Sequence, residues 1–211
     1  MTPTLILLYV FAYVLGSIPF GLLVGMTQGV DIRKIGSGNI GTTNVYRALG
    51  KTCAAIVFIL DVGKGYVPPV FSAIVLRQNG QDHDVSAHAV FVGAAAVIGH
   101  SFSPFLKFKG GKGVATGLGV LLGVAPLVGL AGFSTFVLVV GLTRYVSIAS
   151  ICACFVVIIG TWVTRQPPVV VAVFGFVTAF VVVRHIPNIK RLIKGEEPKI
   201  QFGKPEGPEG K

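Results

Sequence analysis

Gly110, Gly111 and Lys112 stand inside the run Phe108-Lys-Gly-Gly-Lys-Gly-Val114, directly before a long apolar stretch. Glycines without side chains let backbone N–H groups come close to an anion, and the lysine adds a point charge. Two further segments share that chemistry: Ser37-Gly-Asn-Ile-Gly-Thr-Thr-Asn44 followed by Arg47, and Arg184-His185 with Asn188 and Arg191. All three lie at ends of apolar runs. Phosphate-binding groups gathered beside a bilayer imply a phosphorylated substrate handled next to lipid.

Two motif matches fail on context. Gly36-Ser-Gly-Asn-Ile-Gly41 fits GxGxxG, with Asp61 twenty residues beyond it. That fingerprint needs a preceding strand in a βαβ unit, whereas here an apolar helix precedes the loop. Lys112 is no Walker lysine either, because Leu106 stands where the leading glycine belongs and Gly113 follows the lysine. What remains is the chemistry of the loop. Ser37, Asn39, Thr42, Thr43 and Asn44 exceed the one residue a helix cap requires. The helices starting near 44 and 114 would also turn their positive N-terminal ends toward one region, where a phosphate is favoured.

His185 and Asn188 are three apart, so one helical turn brings them together, although Pro187 lies between. Arg184, Lys190 and Lys194 suit snorkelling anchors, and Arg144 suits another. Asp61 and Lys64 sit three apart within an apolar run and are expected to pair with each other, while His100 reads as a satisfied core histidine, with a supporting role in the site as the alternative. Equally informative are the absences. There is no His-x4-Asp pair, no Ser–His–Asp order and no Cys/His cluster of metal-ligand spacing. The site has much to bind phosphate and no evident base, nucleophile, metal or cofactor.

The elements that must carry these loops are membrane helices. Of 211 residues 53% are hydrophobic and 12% charged, and mean hydropathy is +0.79; soluble domains carry about 25% charged residues. The excess of 18 basic over 8 acidic residues therefore marks cytoplasmic loops and not a nucleic-acid surface. Cys53, Cys152 and Cys154 fall in apolar stretches and read as reduced, buried thiols. Apolar runs occur at about 4–26, 53–76, 85–106, 114–142, 146–163 and 168–186. The loops at 31–51 and 107–112 and the tail after 184 are basic, so they face the cytoplasm; 77–84, with Asp82 and Asp84 against Arg77, faces outside, as does the N-terminus. Parity favours a bend of the 114–142 run at Ala125–Pro126 into two short passes, the alternatives being five passes, or six with one re-entrant hairpin. The expectation is an all-α integral membrane protein: a seven-helix transmembrane bundle with short or tilted helices and phosphate-binding loops at its cytoplasmic face. Residues 1–194 would form one domain, and 195–211, rich in Gly, Pro, Glu and Lys, a disordered tail. Gly21-x-x-x-Gly25 and Gly119-x-x-x-Gly123 read as packing contacts.

Taken in order, these motifs resemble one family, the bacterial acyl-phosphate-dependent glycerol-3-phosphate acyltransferases (PlsY). The match runs through Leu15-Gly-Ser-Ile18, Gly36 to Asn44 with Arg47-Ala-Leu-Gly50, Leu60-Asp-x-x-Lys-Gly65, Gly99-His100, Phe108 to Ala115, Arg144-Tyr-Val-Ser147 and Arg184 to Leu192. The resemblance implies an inner-membrane enzyme that moves a fatty acyl group from acyl phosphate to the sn-1 hydroxyl of glycerol-3-phosphate. It implies no metal, cofactor or protein partner, and a proton taken up by the donor's own phosphate. Carried onto this chain, Ser37, Gly38, Asn39, Thr43, Asn44 and Arg47 would bind substrate phosphate and orient the acyl donor. Lys112 with Gly110, Gly111 and Gly113 would hold glycerol-3-phosphate. His185 and Asn188 would complete the phosphate contacts or polarise the acyl carbonyl. The competing class is an anion carrier, but carriers place their sites near the bilayer midplane within inverted repeats, and no repeat is visible.

Overall fold

A computed structural model describes residues 2–80 and 85–201. Its α-helices among the described residues are α1 Pro3–Ser17, α2 Phe20–Thr27, α3 Thr42–Gln78, α4 Val85–Ser101, α5 Val114–Val124, α6 Pro126–Thr143, α7 Val146–Val163, α8 Pro168–Arg184 and α9 Ile186–Ile193, joined by turns and irregular loops. Five segments are long and apolar enough to cross a membrane: Pro3–Thr27, α3, Val85–Leu106, α6 and α7. The pair α8 and α9, bent by 49°, supplies a sixth. Helix α5 has 11 residues, roughly 16 Å, about half the hydrocarbon thickness. This set is compatible with the expected seven passes, with α5 as the incomplete one. Asp82 and Asp84 of the acidic outer loop lie outside the described residues.

The break expected within 114–142 falls at Ala125, which leaves helical geometry (φ −140°, ψ 70°), and Pro126 opens α6. Proline suits a first helical position because its missing N–H would have no partner there. A second break interrupts the run expected to be continuous over 4–26. The chain leaves α1 at Ile18 and resumes at Phe20 across Pro19. In lipid the freed carbonyls must find donors. Lys64 Nζ donates to Ile18 O at 2.7 Å, and Ser103 Oγ donates to Ser17 O at 2.6 Å. Lys64 also pairs with Asp61 at 2.8 Å, both side chains at most 2% exposed. The expected Asp61–Lys64 pairing is thus present, and it ties the first span to α3.

Small residues set the tightest crossing. A Cβ on Gly119 of α5 would collide with the Val62 carbonyl of α3, and one on Gly65 of α3 with the Thr116 carbonyl. Gly123 continues this face against Pro69 and Val70. The other small-residue pair behaves differently: Gly21 and Gly25 lie against the carbonyls of Ile40 and Val30, so they seat a loop and not a helix. A buried core of Val90, Val97, Val120, Leu121, Val128, Val157 and Phe174 joins α4 through α8.

Replacing Lys64 with Met leaves Asp61 as an unpaired buried charge and Ile18 O without its donor. Losing one partner of a buried pair costs about 3–5 kcal/mol, so Lys64→Met should sharply lower the melting temperature of the detergent-solubilised protein. The double variant Lys64→Met/Asp61→Asn should recover part of that loss. Equal melting of wild type and Lys64→Met would mean that the pair does not hold the break.

Candidate active site

The three segments expected to bind anions meet at one end of a single cavity of about 860 Å³. Ser37, Asn39, Thr43, Asn44 and Arg47 line it from the first segment; Lys112 and Gly113 line it from the second, and Arg184, His185, Asn188 and Arg191 from the third. Below this polar rim the walls become apolar, with Phe58, Leu118, Phe133, Phe136, Val157 and Phe174. One cavity therefore joins a cationic mouth to a slot that suits alkyl chains.

Local geometry decides which polar groups are available. Asn44 is 1% exposed. Its Oδ1 accepts from Ser37 N at 3.0 Å and Ser37 Oγ at 3.3 Å, and its Nδ2 donates to Ile32 O and Ile35 O. Both ends of the amide are engaged in folding the loop, so Asn44 positions Ser37. Gly36 carries φ +55°, and a Cβ there would meet Asn44 Oδ1 at 2.5 Å, which is why the clasp needs glycine. Asn39 Oδ1 accepts from Gly41 N at 3.0 Å, turning the chain into α3. The first turns of α3 and α5 both reach the cavity through Thr42, Thr43, Val114 and Ala115, and the leading N–H groups of a helix have no carbonyl of their own helix to bond.

The glycine-rich loop departs from expectation. Gly110 N and Gly111 N donate to Ser101 O and His100 O, so they point at the end of α4 and not at a ligand. Their carbonyls accept from Arg184 Nη2 at 2.9 and 3.0 Å. A Cβ on Gly111 would run into the His100 ring, and one on Gly110 into the His100 carbonyl. Neither glycine is among the cavity-lining residues, nor is Gly38, whose Cβ position faces Arg33 O. These three stand behind the site. Gly110 and Gly111 are glycines so that the loop can lie flat on His100, which presents Lys112. Arg184 corrects a second expectation, because it clamps this loop where a membrane anchor was foreseen.

Lys112 Nζ donates to Asn188 Oδ1 at 2.6 Å, Asn188 Nδ2 donates to Glu197 Oε1 at 2.7 Å, and Arg191 Nε donates to Glu197 Oε2 at 2.8 Å. Burial lowers the Lys112 ammonium to about 8; Glu197 opposes this, and Arg191, Arg184 and Arg47 add to it. Burial alone would raise the Glu197 carboxyl, but hydrogen bonds from Asn188 and Arg191 hold it below its usual value. His185, 2% exposed, places Nδ1 2.8 Å from Val181 O. A carbonyl only accepts, so Nδ1 carries the proton, and Nε2 of the neutral ring is an acceptor.

Glu197 and Ser147, both lining the cavity, are absent from the residues inferred from sequence. Ser147 sits in the second position of α7 within the Arg144-Tyr-Val-Ser147 run, which offered a signal. Glu197 had none, because it falls in the stretch whose composition indicates disorder. Residues 195–201 instead fold back over the mouth. Ile200 N donates to Arg144 O at 2.8 Å, Tyr46 Oη to Gln201 O at 2.8 Å, and Arg47 Nη2 to Pro198 O at 3.2 Å. Residues 202–211 lie outside the described residues.

Comparison with known proteins gives consistent relatives. Residues 6–195 match the model of a family described as glycerol-3-phosphate acyltransferase. A glycerol-3-phosphate acyltransferase of Macrococcus caseolyticus is 43% identical, covering 94% of this chain and 98% of its own length. Another, from Syntrophotalea carbinolica, is 46% identical over 90% of this chain and 94% of its own. Among solved structures, the glycerol 3-phosphate form of PlsY (YgiH), an integral membrane glycerol 3-phosphate acyltransferase, superposes with TM-score 0.86 at 41% identity, covering 94% of this chain and 96% of that one. Its lysophosphatidic acid form superposes with TM-score 0.84 at 40% identity, with the same coverage.

The Lys112 ammonium gives the mouth a pH dependence. It is charged below about pH 8 and neutral above, and a bound dianion raises that midpoint. Sulfate, which does not titrate in this range, should bind the purified protein best at neutral pH and progressively less as pH rises past about 8. Lys112→Met should bind roughly tenfold or more weakly, the worth of a charged hydrogen bond, without that alkaline decline. An unchanged pH profile in the variant would remove Lys112 from the anion site.

Proposed function

Because this chain belongs to the glycerol-3-phosphate acyltransferase family, and is thus an integral membrane enzyme that acylates glycerol-3-phosphate, we propose that its donor is acyl phosphate and its products are lysophosphatidate and inorganic phosphate. The observation that carries this reading is the single cavity in which a cationic mouth with two helix N-termini opens into an apolar slot. Such a mouth can host two phosphate groups, one on each substrate, while the slot takes the acyl chain.

In this mechanism Lys112, steadied by Asn188 and Glu197, holds the phosphate of glycerol-3-phosphate, and Arg191 flanks it. Arg47, Ser37, Asn39 and the first turn of α3 hold the donor phosphate. The sn-1 hydroxyl oxygen attacks the acyl carbonyl carbon, a new C–O ester bond forms, and the C–O bond to phosphate breaks. The departing phosphate takes the hydroxyl proton and leaves as hydrogen phosphate, so the protein need supply no strong base. His185 acts here as an acceptor: Nε2 receives a hydrogen bond from the sn-2 hydroxyl of glycerol-3-phosphate and so orients the sn-1 oxygen toward the carbonyl, leaving the sn-1 proton to the phosphate. This differs from the phosphate-contact or carbonyl-polarising role that the family resemblance implies, since Nδ1–H is committed to Val181 O. Asn188 positions Lys112.

We further propose that this mouth faces the cytoplasm of a bacterial inner membrane, with the N-terminus outside. Support comes from the basic segments at 31–51, 107–112 and 184–194, whose Lys and Arg excess marks the cytoplasmic side. Residues 1–194 act as one catalytic domain, with 195–201 as an extension covering its mouth.

Purified protein given palmitoyl phosphate should release phosphate only when glycerol-3-phosphate is present, with one lysophosphatidate formed per phosphate. Removing a preorganised donor typically costs about 10²–10³ in rate, so Lys112→Ala should lose at least that much in kcat/KM. Transfer from another acyl donor with none from acyl phosphate would overturn the donor assignment. Near wild-type kinetics in Lys112→Ala would overturn the site.

A further inference from the structure

We propose that the apolar slot measures the acyl chain and that the turn between α5 and α6 is its floor. The proposal rests on the acyl-transfer reading and assigns the chain-length limit to Leu121, Val157 and Phe174. The lining runs from Val140 down to Gly129 on α6, from Ser147 to Val157 on α7, and from Arg184 to Phe174 on α8. Each stripe covers eleven or twelve residues from rim to bottom, roughly 15 Å of helix. All three stop at the layer where α5, lining through Leu121, reaches its end at Val124 and the chain reverses at Ala125–Pro126.

Beneath that layer the space is filled. Val128 is 1% exposed and Val170 fully buried, and both belong to the core under the slot. Gly160 lies against Val128, with its Cβ position 3.2 Å from Cγ1, so α6 and α7 close together there. On the side between α3 and α6, Phe58 and Phe133 stack with ring centroids 5.9 Å apart. The half-length of α5 thus has a consequence for specificity: a full-length helix would carry the lining deeper. A fully extended chain advances ~1.2 Å per bond, so the slot holds about twelve to fourteen carbons.

The test is equilibrium binding of lysophosphatidates with chains of eight to eighteen carbons to the detergent-solubilised protein, a measurement independent of the acyl donor. Burial of each methylene is worth about fourfold in affinity. Affinity should climb at about that rate to twelve to fourteen carbons and then level off, because the outer carbons of a longer chain such as palmitoyl gain nothing from the slot. Val157→Phe should move the break to shorter chains and Phe174→Ala to longer ones; a merely structural defect would weaken all lengths together. A climb that continues unchanged to eighteen carbons in the wild type overturns the floor, as does a break at the same length in both variants. The same series of acyl phosphates is then assayed for transfer. If the wild type transfers none of them, the donor reading falls, while the binding profile still judges the floor.

Discussion

Four cationic side chains, Arg47, Lys112, Arg184 and Arg191, converge on the mouth of one cavity in a chain otherwise given over to apolar helices. Like charges at close quarters repel most where water is scarce, and the cluster lasts because each member is tied to something. Arg47 binds the Pro198 carbonyl, Arg184 binds two loop carbonyls, Arg191 binds Glu197, and Lys112 is held through Asn188 to the same carboxylate. The strain shows in Lys112, whose ammonium is lowered to about 8 by burial and by three neighbouring arginines. An anion relieves that repulsion. Phosphate affinity here is a property of the fold as much as of any one residue.

The same economy shapes the scaffold. Broken helices are costly in lipid unless each freed carbonyl is met, and here the breaks do the positioning. The Ile18–Pro19 break is met by Lys64 and Ser103. The break at Ala125 ends α5 early and bounds the slot. The bend at His185 lets α9 bring Asn188 beneath Lys112. The buried Asp61–Lys64 pair serves this architecture by meeting the Ile18 carbonyl.

Much of this was legible in the sequence because it depends on composition and on local rules. Hydropathy gave the apolar runs, Pro126 gave the turn that splits one of them, and loop charge grouped the three basic segments. The i, i+3 spacing of Asp61 and Lys64 gave their pairing. Less legible was the direction in which a polar group points. Gly110 and Gly111 look like anion-binding glycines, yet their N–H groups face α4 because the His100 ring lies where a side chain would be. Asn44 and Asn188 look like ligand contacts, yet their amides hold a loop and a lysine. Glu197 sits in a stretch whose composition favours disorder; Asn188 and Arg191 of α9 hold its carboxylate, and distant partners, Tyr46, Arg47 and Arg144, hold the residues after it. Those partners are invisible to any local pattern.

The central claim is that one mouth holds two phosphate groups together, which is what removes the need for a protein base. It is tested most directly by equilibrium binding of radiolabelled glycerol-3-phosphate to protein saturated with 2-oxoheptadecylphosphonate, an unreactive mimic of palmitoyl phosphate in which a methylene replaces the bridging oxygen. The account predicts that glycerol-3-phosphate still binds one per chain, with affinity little changed or improved. Full competitive displacement by the phosphonate would contradict it, because the two phosphate groups would then share a single subsite.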